Sequence, residues 1–279
     1  MPDNTDISER QAHGQEPILE AQGVVRRFGG VTAVDVDHVT FQRGKITALI
    51  GPNGAGKTTF FNLLTCFDQP TEGEWKLNGV SLKGVPPHRV AKRGMVRTFQ
   101  LTKSLTKLSV IENMRLGAQN QKGERFLTAL VKPIWASEEQ KITARADELL
   151  HRFKLDHMRE DFAASLSGGQ RKLLEMARAL MTDPELIMLD EPMAGVNPAL
   201  KQSLLEHVKG LRDEGRTVIF VEHDMDMVNE ISDWVVVMAE GKIIAEGTPS
   251  DIGKNPAVIA AYLGDNHGQD LHSGMGRSE

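Results

Sequence analysis

Apolar positions recur along this chain at two periods, and the change from one to the other marks its parts. From near Pro17, the segments ILEAQGVVRRF and TAVDVDHVTF read as strands, the second placing Ala33, Val34, Val36, Val39 and Phe41 in a roughly alternating, half-buried pattern. KITALIG is a continuous apolar run, as expected of a strand covered on both faces, and it enters a glycine-rich turn. The later half alternates between periods: strand LIMLD, a helix from Ala199 to Asp213, strand TVIFV, a helix from Met225 to Ile231, then strands VVVMA and KIIAEG. Such alternation implies a parallel sheet covered by helices. Residues 100–183 carry a mainly helical period and read as a separate helical lobe. Residues 1–16 and 265–279 are polar and glycine-containing without periodicity, which makes them tails around a domain spanning 17–264. The predicted fold is α/β, with an antiparallel β part, a parallel-sheet core and a helical lobe.

Composition narrows the function only a little. The chain has 279 residues, 40% of them hydrophobic and 25% charged, enough for one large domain with its own core. With 33 basic against 38 acidic residues the net charge is -5, which gives no general electrostatic footprint for nucleic acid. The single cysteine, Cys66, rules out an intramolecular disulfide and suits a reducing compartment. No stretch approaches the roughly 18 apolar residues of a spanning helix, and the polar start lacks a secretory apolar segment. A cytosolic protein, or one held at a membrane by a partner, is expected.

Candidate chemistry changes the picture more. Gly51, Pro52, Asn53, Gly54, Ala55, Gly56, Lys57, Thr58 and Thr59 match GxxxxGK[ST], directly after an apolar strand and before the helical run TFFNLLTCF. In that context the loop amides can wrap a β-phosphate, Lys57 can reach the β- and γ-phosphates, and the Thr58 hydroxyl can ligand Mg²⁺. LIMLDEP carries Asp190 to the carboxyl end of a strand, where it can hold Mg²⁺ directly or through water. Glu191 follows at once, where a carboxylate can orient or deprotonate a water attacking the γ-phosphate. Metal ligand and base side by side point to hydrolysis. His223 after TVIFVE and Gln100 closing MVRTFQ also stand at predicted strand ends, although such residues are often ordinary surface groups; Phe28 could stack on a purine or belong to the core.

LSGGQ, residues 166–170, poses a separate problem. Ser167 and Gln170 have the spacing of a capping box at a helix start. Gly168 and Gly169, however, each give up about 1 kcal/mol of helix propensity, so a need for bare backbone near an anion is a competing explanation.

Taken in order, Lys57, Gln100, LSGGQ, Asp190, Glu191 and His223 make the chain resemble the ATP-binding subunit of an ABC transporter over essentially residues 17–264. The resemblance implies an aromatic nucleotide contact at Phe28, a Walker A loop at Gly51 to Thr59, a Q-loop at Gln100, a signature at Leu166 to Gln170, a Walker B strand ending at Asp190, a catalytic Glu191 and a switch His223. It adds Gln100 to Thr58 and Asp190 as metal contacts, with ATP and Mg²⁺ as cofactors. It also implies a head-to-tail pair of subunits in which Ser167, Gly168, Gly169 and Gln170 close on the nucleotide held by the other chain.

Finer features, FGGVTAVDVDHVTF, AGVNP, VEHDMDMV and AAYLG, look like the branched-chain amino acid importers. Implied partners are transmembrane permease subunits, a second ATP-binding subunit and an extracytoplasmic substrate-binding protein, at the cytoplasmic face of the membrane. Asn197 stands where many relatives carry an aspartate. Within residues 122–140, Phe126, Leu127, Leu130, Val131, Ile134 and Trp135 form an apolar stripe, expected to be broken by Pro133 and to pack on the lobe or to touch a membrane partner or lipid. Alternatives are the same engine serving urea, short amides or lipopolysaccharide export, or a non-transport ABC ATPase acting on nucleic acid or ribosomes. The single Walker A loop and the lack of sustained heptads between Lys57 and Leu166 weigh against the last.

Overall fold

The computed structural model describes residues 16–98, 105–118 and 132–263, with side chains at all of these but 105, 132–136 and 199. All of the predicted tail 1–16 except Glu16, the predicted tail 265–279, Gln100, and the stripe residues Phe126 to Val131 lie outside the described residues.

Two sheets form the frame. The first is antiparallel and has the order β2-β1-β4-β5, from β1 (Leu19–Phe28), β2 (Val31–Phe41), β4 (Glu72–Leu77) and β5 (Val80–Ser81). The second has the order β10-β9-β3-β8-β7-β6, from β3 (Ile46–Ile50), β6 (Met95–Arg97), β7 (Leu186–Asp190), β8 (Thr217–Val221), β9 (Trp234–Ala239) and β10 (Lys242–Gly247). Its five strands from β9 to β6 are parallel, and β10 pairs antiparallel with β9. The antiparallel part thus extends beyond the two strands read from the sequence: β4 and β5 return after the phosphate-loop helix to complete it. EGEWKL has only two apolar residues, so its strand character comes from pairing with β1 more than from its own pattern.

Helices α1 (Lys57–Leu64), α2 (Pro87–Ala91), α3 (Val110–Leu116), α4 (Lys132–Arg152), α5 (Gly168–Leu180), α6 (Pro198–Asp213), α7 (Met225–Ile231) and α8 (Pro249–Ile252) surround the sheets. Pro133 is the second described residue of α4, and the chain continues as helix beyond it to Arg152. The buried strands β3, β7, β8 and β9 show why the middle of the sheet is mostly apolar: successive side chains feed two cores. Ile46, Ala48, Ile50, Ile187, Leu189, Val218 and Phe220 face a core shared with α3, α4, α5, α6 and α7. Leu49, Leu186, Met188, Ile219, Val221 and Met238 face another, shared with α1 and the antiparallel sheet. The phosphate-loop helix and the LSGGQ helix therefore belong to different layers, one on each face of the central sheet.

Candidate active site

The loop between β3 and α1 is made by close backbone approach. A Cβ on Gly51 would lie 2.0 Å from the Met238 carbonyl oxygen, and one on Gly56 would lie 2.4 Å from that of Ala33. These two glycines are thus required by neighbouring strands as well as by the turn itself, where Gly56 has φ 94° and caps α1 with no side-chain hydrogen bond. The first-turn amides of α1 consequently have no side-chain cap from Gly56, and a helix start of this kind suits an anion. The Lys57 ammonium donates to the carbonyls of Gly51 at 2.7 Å and Pro52 at 2.8 Å, so it arches back over the loop. Asn53, Gly54 and Thr58 are exposed, while Ala55 is buried and Pro52 and Thr59 are half-buried.

Asp190 ends β7 with its Oδ2 paired to Arg97, a cation only 8% exposed on the neighbouring strand β6. The Arg97 guanidinium also donates to Asn62 Oδ1 at 2.6 Å on α1 and lies 5.0 Å from the centre of the Phe61 ring. One buried arginine therefore joins the phosphate-loop helix, the strand leading to Gln100 and the Asp190 carboxylate. Sequence reasoning missed Arg97; the available signal was a cation inside the short strand MVR beside an acidic strand end.

Glu191 is exposed and takes φ 44°, a left-handed conformation that costs a non-glycine residue about 1–2 kcal/mol. Its N–H donates to Val221 O and its carbonyl accepts from Ala194, both at 3.1 Å. Residues held in such a conformation gather at functional sites because the surroundings must enforce it. His223 follows β8 with 71% of its side chain exposed, and adjacent Glu222 is buried. Glu222 is the second group that sequence reasoning passed over. Asn197, beyond the same turn, caps α6 by accepting the Leu200 N–H at 2.9 Å, which gives its amide a role within this chain.

In the LSGGQ turn the capping box is complete. Ser167 Oγ accepts the Gln170 N–H at 3.3 Å, and Gln170 Oε1 accepts the Ser167 N–H at 2.9 Å. The two glycines part company. A Cβ on Gly169 would come 2.7 Å from Leu200 Cδ2, so close packing on α6 explains that residue. On Gly168 a Cβ would meet only Gly195 O, at 3.7 Å, and the residue is exposed. Only Gly168 retains bare, accessible backbone as its reason.

Phe28 ends β1 with 48% exposure, so the core alternative for it does not hold; the Arg26 guanidinium lies 4.5 Å from its ring centre. The oxygen donors fit a magnesium ion: Thr58 is an exposed residue, and Asp190 uses Oδ2 on Arg97 while 29% of its side chain meets solvent. No group of three or more His, Cys, Asp or Glu among the described residues could form a metal cage.

A glycine-built helix start, a strand-end Asp-Glu pair and a separately capped LSGGQ helix define an ATP-binding cassette. The family described as ABC transporter matches residues 34–194, and the branched-chain amino acid ATP-binding cassette transporter family matches residues 242–268. A probable branched-chain amino acid transport ATP-binding protein of Archaeoglobus fulgidus is 42% identical over 247 residues, covering 88% of this chain and 95% of that protein. A high-affinity branched-chain amino acid transport ATP-binding protein of Pseudomonas aeruginosa is 41% identical over 251 residues, covering 89% and 98%. Among solved structures, the ADP conformation of an ATP-binding cassette of an ABC transporter superposes with TM-score 0.79 at 36% identity, covering 90% of this chain and 100% of that one. The chain belongs to the ABC transporter family, as an ATP-hydrolysing cassette of the kind found in branched-chain amino acid transport systems.

Proposed function

We propose that this chain pairs head to tail with a second ATP-binding subunit, docks on transmembrane permease subunits at the cytoplasmic face of a membrane, and powers uptake of branched-chain or other small hydrophobic amino acids. An extracytoplasmic substrate-binding protein completes the system. Among the described residues no helix is long and apolar enough to cross a membrane, which fits a subunit that reaches the membrane through partners. The cargo reading rests on likeness to the branched-chain relatives.

The observation that carries the pairing is the separation of the two helix starts. α1 packs in the layer of the antiparallel sheet, whereas α5 packs in the helical layer on the opposite face, with Gly168 exposed at its first residue. An LSGGQ turn whose Ser167 and Gln170 amides are capped within the chain, and whose open Gly168 is exposed, is suited to another chain's nucleotide.

In this reading Phe28 stacks on the adenine. The amides from Gly51 to Thr59 bind the phosphates, and Lys57 exchanges its two loop carbonyls for phosphate oxygens. Thr58 and Asp190 would hold magnesium, with Gln100 as a further contact; the ion, when bound, offsets the charge of the β- and γ-phosphates. Glu191 orients the attacking water and accepts its proton, and His223 contacts the γ-phosphate. Ser167, Gly168, Gly169 and Gln170 of one subunit close on that phosphate from across the pair, so cleavage releases the grip.

Complementation tests this reading. Lys57→Ala and Ser167→Arg are each expected to be nearly inactive alone, while verified mixed dimers regain a substantial part of the ATPase activity, because one site combines both lesions and the other has none. No recovery, in mixtures where a dimer with a single Lys57→Ala lesion retains partial turnover, would overturn the trans assignment. Cargo is read separately, from leucine-dependent stimulation of ATPase in liposomes holding the complete transporter.

A further inference from the structure

The carboxyl ends of β7 and β8 lie side by side, with Asp190 opposite Val221. The next residue after Val221 is Glu222, whose side chain is only 2% exposed. Its two oxygens serve two different loops. Oε1 accepts the Met193 N–H at 3.1 Å, two residues beyond Glu191, and Oε2 accepts the His223 N–H at 3.3 Å. Among the described residues the only basic side chain within 4.0 Å is that of His223 itself, with Nδ1 at 3.8 Å from Oε2. Burying a carboxylate is unfavourable by several kcal/mol unless its lone pairs are satisfied, and an aliphatic side chain would fill the same space without that cost. What the carboxylate adds is the fixing of two amides.

Those two amides belong to the segments that carry Glu191 and His223. Glu191 is strained at φ 44°, and its own direct anchors are the hydrogen bonds to Val221 and Ala194. A loop in that state relaxes if its next support is removed. Glu222 supplies that support at Met193 and holds the His223 backbone with the same group.

We propose that Glu222 is a positioning residue for hydrolysis: a buried carboxylate clamp that keeps the Glu191 turn and the His223 turn in one shared arrangement. The proposal rests on the roles given to Glu191 and His223 above. The clamp touches neither the Lys57 loop nor the Phe28 face, so it acts on turnover and leaves nucleotide binding alone. A displacement of about 1 Å in a positioned group can cost on the order of 10²-fold in rate.

The test uses the full chain as Glu222→Ala and Glu222→Gln, with Glu191→Gln as reference. Glu222→Ala is expected to lower kcat for ATP by about 10- to 10²-fold with KM within about twofold. Amide hydrogen exchange at Met193 and His223 should rise about tenfold or more, while β3 stays protected. Glu222→Gln keeps one carbonyl oxygen for one amide but turns an NH₂ toward the other, so its kcat should fall between wild type and Glu222→Ala. Unchanged exchange at both amides, unchanged kcat, or a KM rise that matches the kcat loss would each overturn the clamp. Should Glu222→Ala fail to fold, the same measurements on Glu222→Gln decide between the clamp and its absence. Near wild-type turnover in Glu191→Gln sinks the assigned base instead, an outcome distinct from failure of the clamp, which is read on Met193 and His223.

Discussion

Two helix starts in this molecule are rich in glycine, and they are built on opposite plans. At α1 the cap is Gly56, left-handed at φ 94°, with no side chain to satisfy the first turn and a lysine folded over the loop. At α5 the cap is Ser167, extended at φ -61°, ψ 163°, and its box with Gln170 is closed within the chain. The first site is shaped by neighbouring backbone to the point that a methyl group cannot enter. The second is self-sufficient as a helix, and its exposed Gly168 is a surface feature. The Gly51–Thr59 loop is thus built into the sheet, whereas the LSGGQ turn closes its own helix start and leaves Gly168 open.

The contrast can be broken most severely at Gly56. Gly56→Ala places a Cβ against the Ala33 carbonyl oxygen at 2.4 Å in a left-handed conformation, so a loss of about 3 kcal/mol or more is expected in urea unfolding. A loss below about 1 kcal/mol would mean that the loop is not locked to β2 as described. Next in size is Ser167. Ser167→Ala should cost about 1 kcal/mol through the lost cap, while Ser167→Asp keeps a capping oxygen and near wild-type stability. If Ser167 also faces a phosphate across the pair, Ser167→Asp should still lose ATPase by a factor on the order of 10² or more through charge repulsion. Equal activity in a folded Ser167→Asp protein would leave capping as the residue's whole role.

Gly169→Ala comes third. Its Cβ meets the tip of Leu200 at 2.7 Å, a flexible contact, and alanine gains up to about 1 kcal/mol of helix propensity. Thermal unfolding should therefore show a net cost under about 1 kcal/mol, and pairing the change with Leu200→Ala should make the two effects non-additive. Additivity would show that Gly169 and Leu200 do not share that space. The smallest stability effect is expected at Gly168, where Gly168→Ala has room and no positive φ: within about 0.5 kcal/mol of wild type. In the head-to-tail reading proposed above, turnover by the paired subunits should nevertheless fall, because there the methyl would stand where the partner's phosphate approaches; wild-type turnover would place that phosphate elsewhere.

Local chemistry made much of this legible without coordinates. The fully apolar strands ITALI and TVIFV, the GxxxxGK[ST] loop between strand and helix, the Ser167–Gln170 box and the acidic pair after LIMLD each depend on a few neighbouring residues. Their physical reasons, burial on two faces, close backbone approach, capping and a strand-end carboxylate, act within a single segment. They read correctly for that reason. EGEWKL carried no such signal, because its pairing with β1 is a contact between segments about 50 residues apart in the chain, and no period within it announces the partner.

Only the tertiary structure decided what each polar group near the site is tied to. Arg97 reads as an ordinary cation until β6 is laid beside β7 and its guanidinium meets Asp190 and Asn62. Glu222 reads as one more charge in VEHDM until β8 buries it and the turn after β7 brings the Met193 amide to it. Gly169 and Gly168 are identical letters that packing on Leu200 divides into a core contact and an open surface. Hydrogen bonds and ion pairs reach only about 3 Å and depend on direction, so sequence can supply their donors and acceptors, while the sheet order and the layering of helices choose which of them meet.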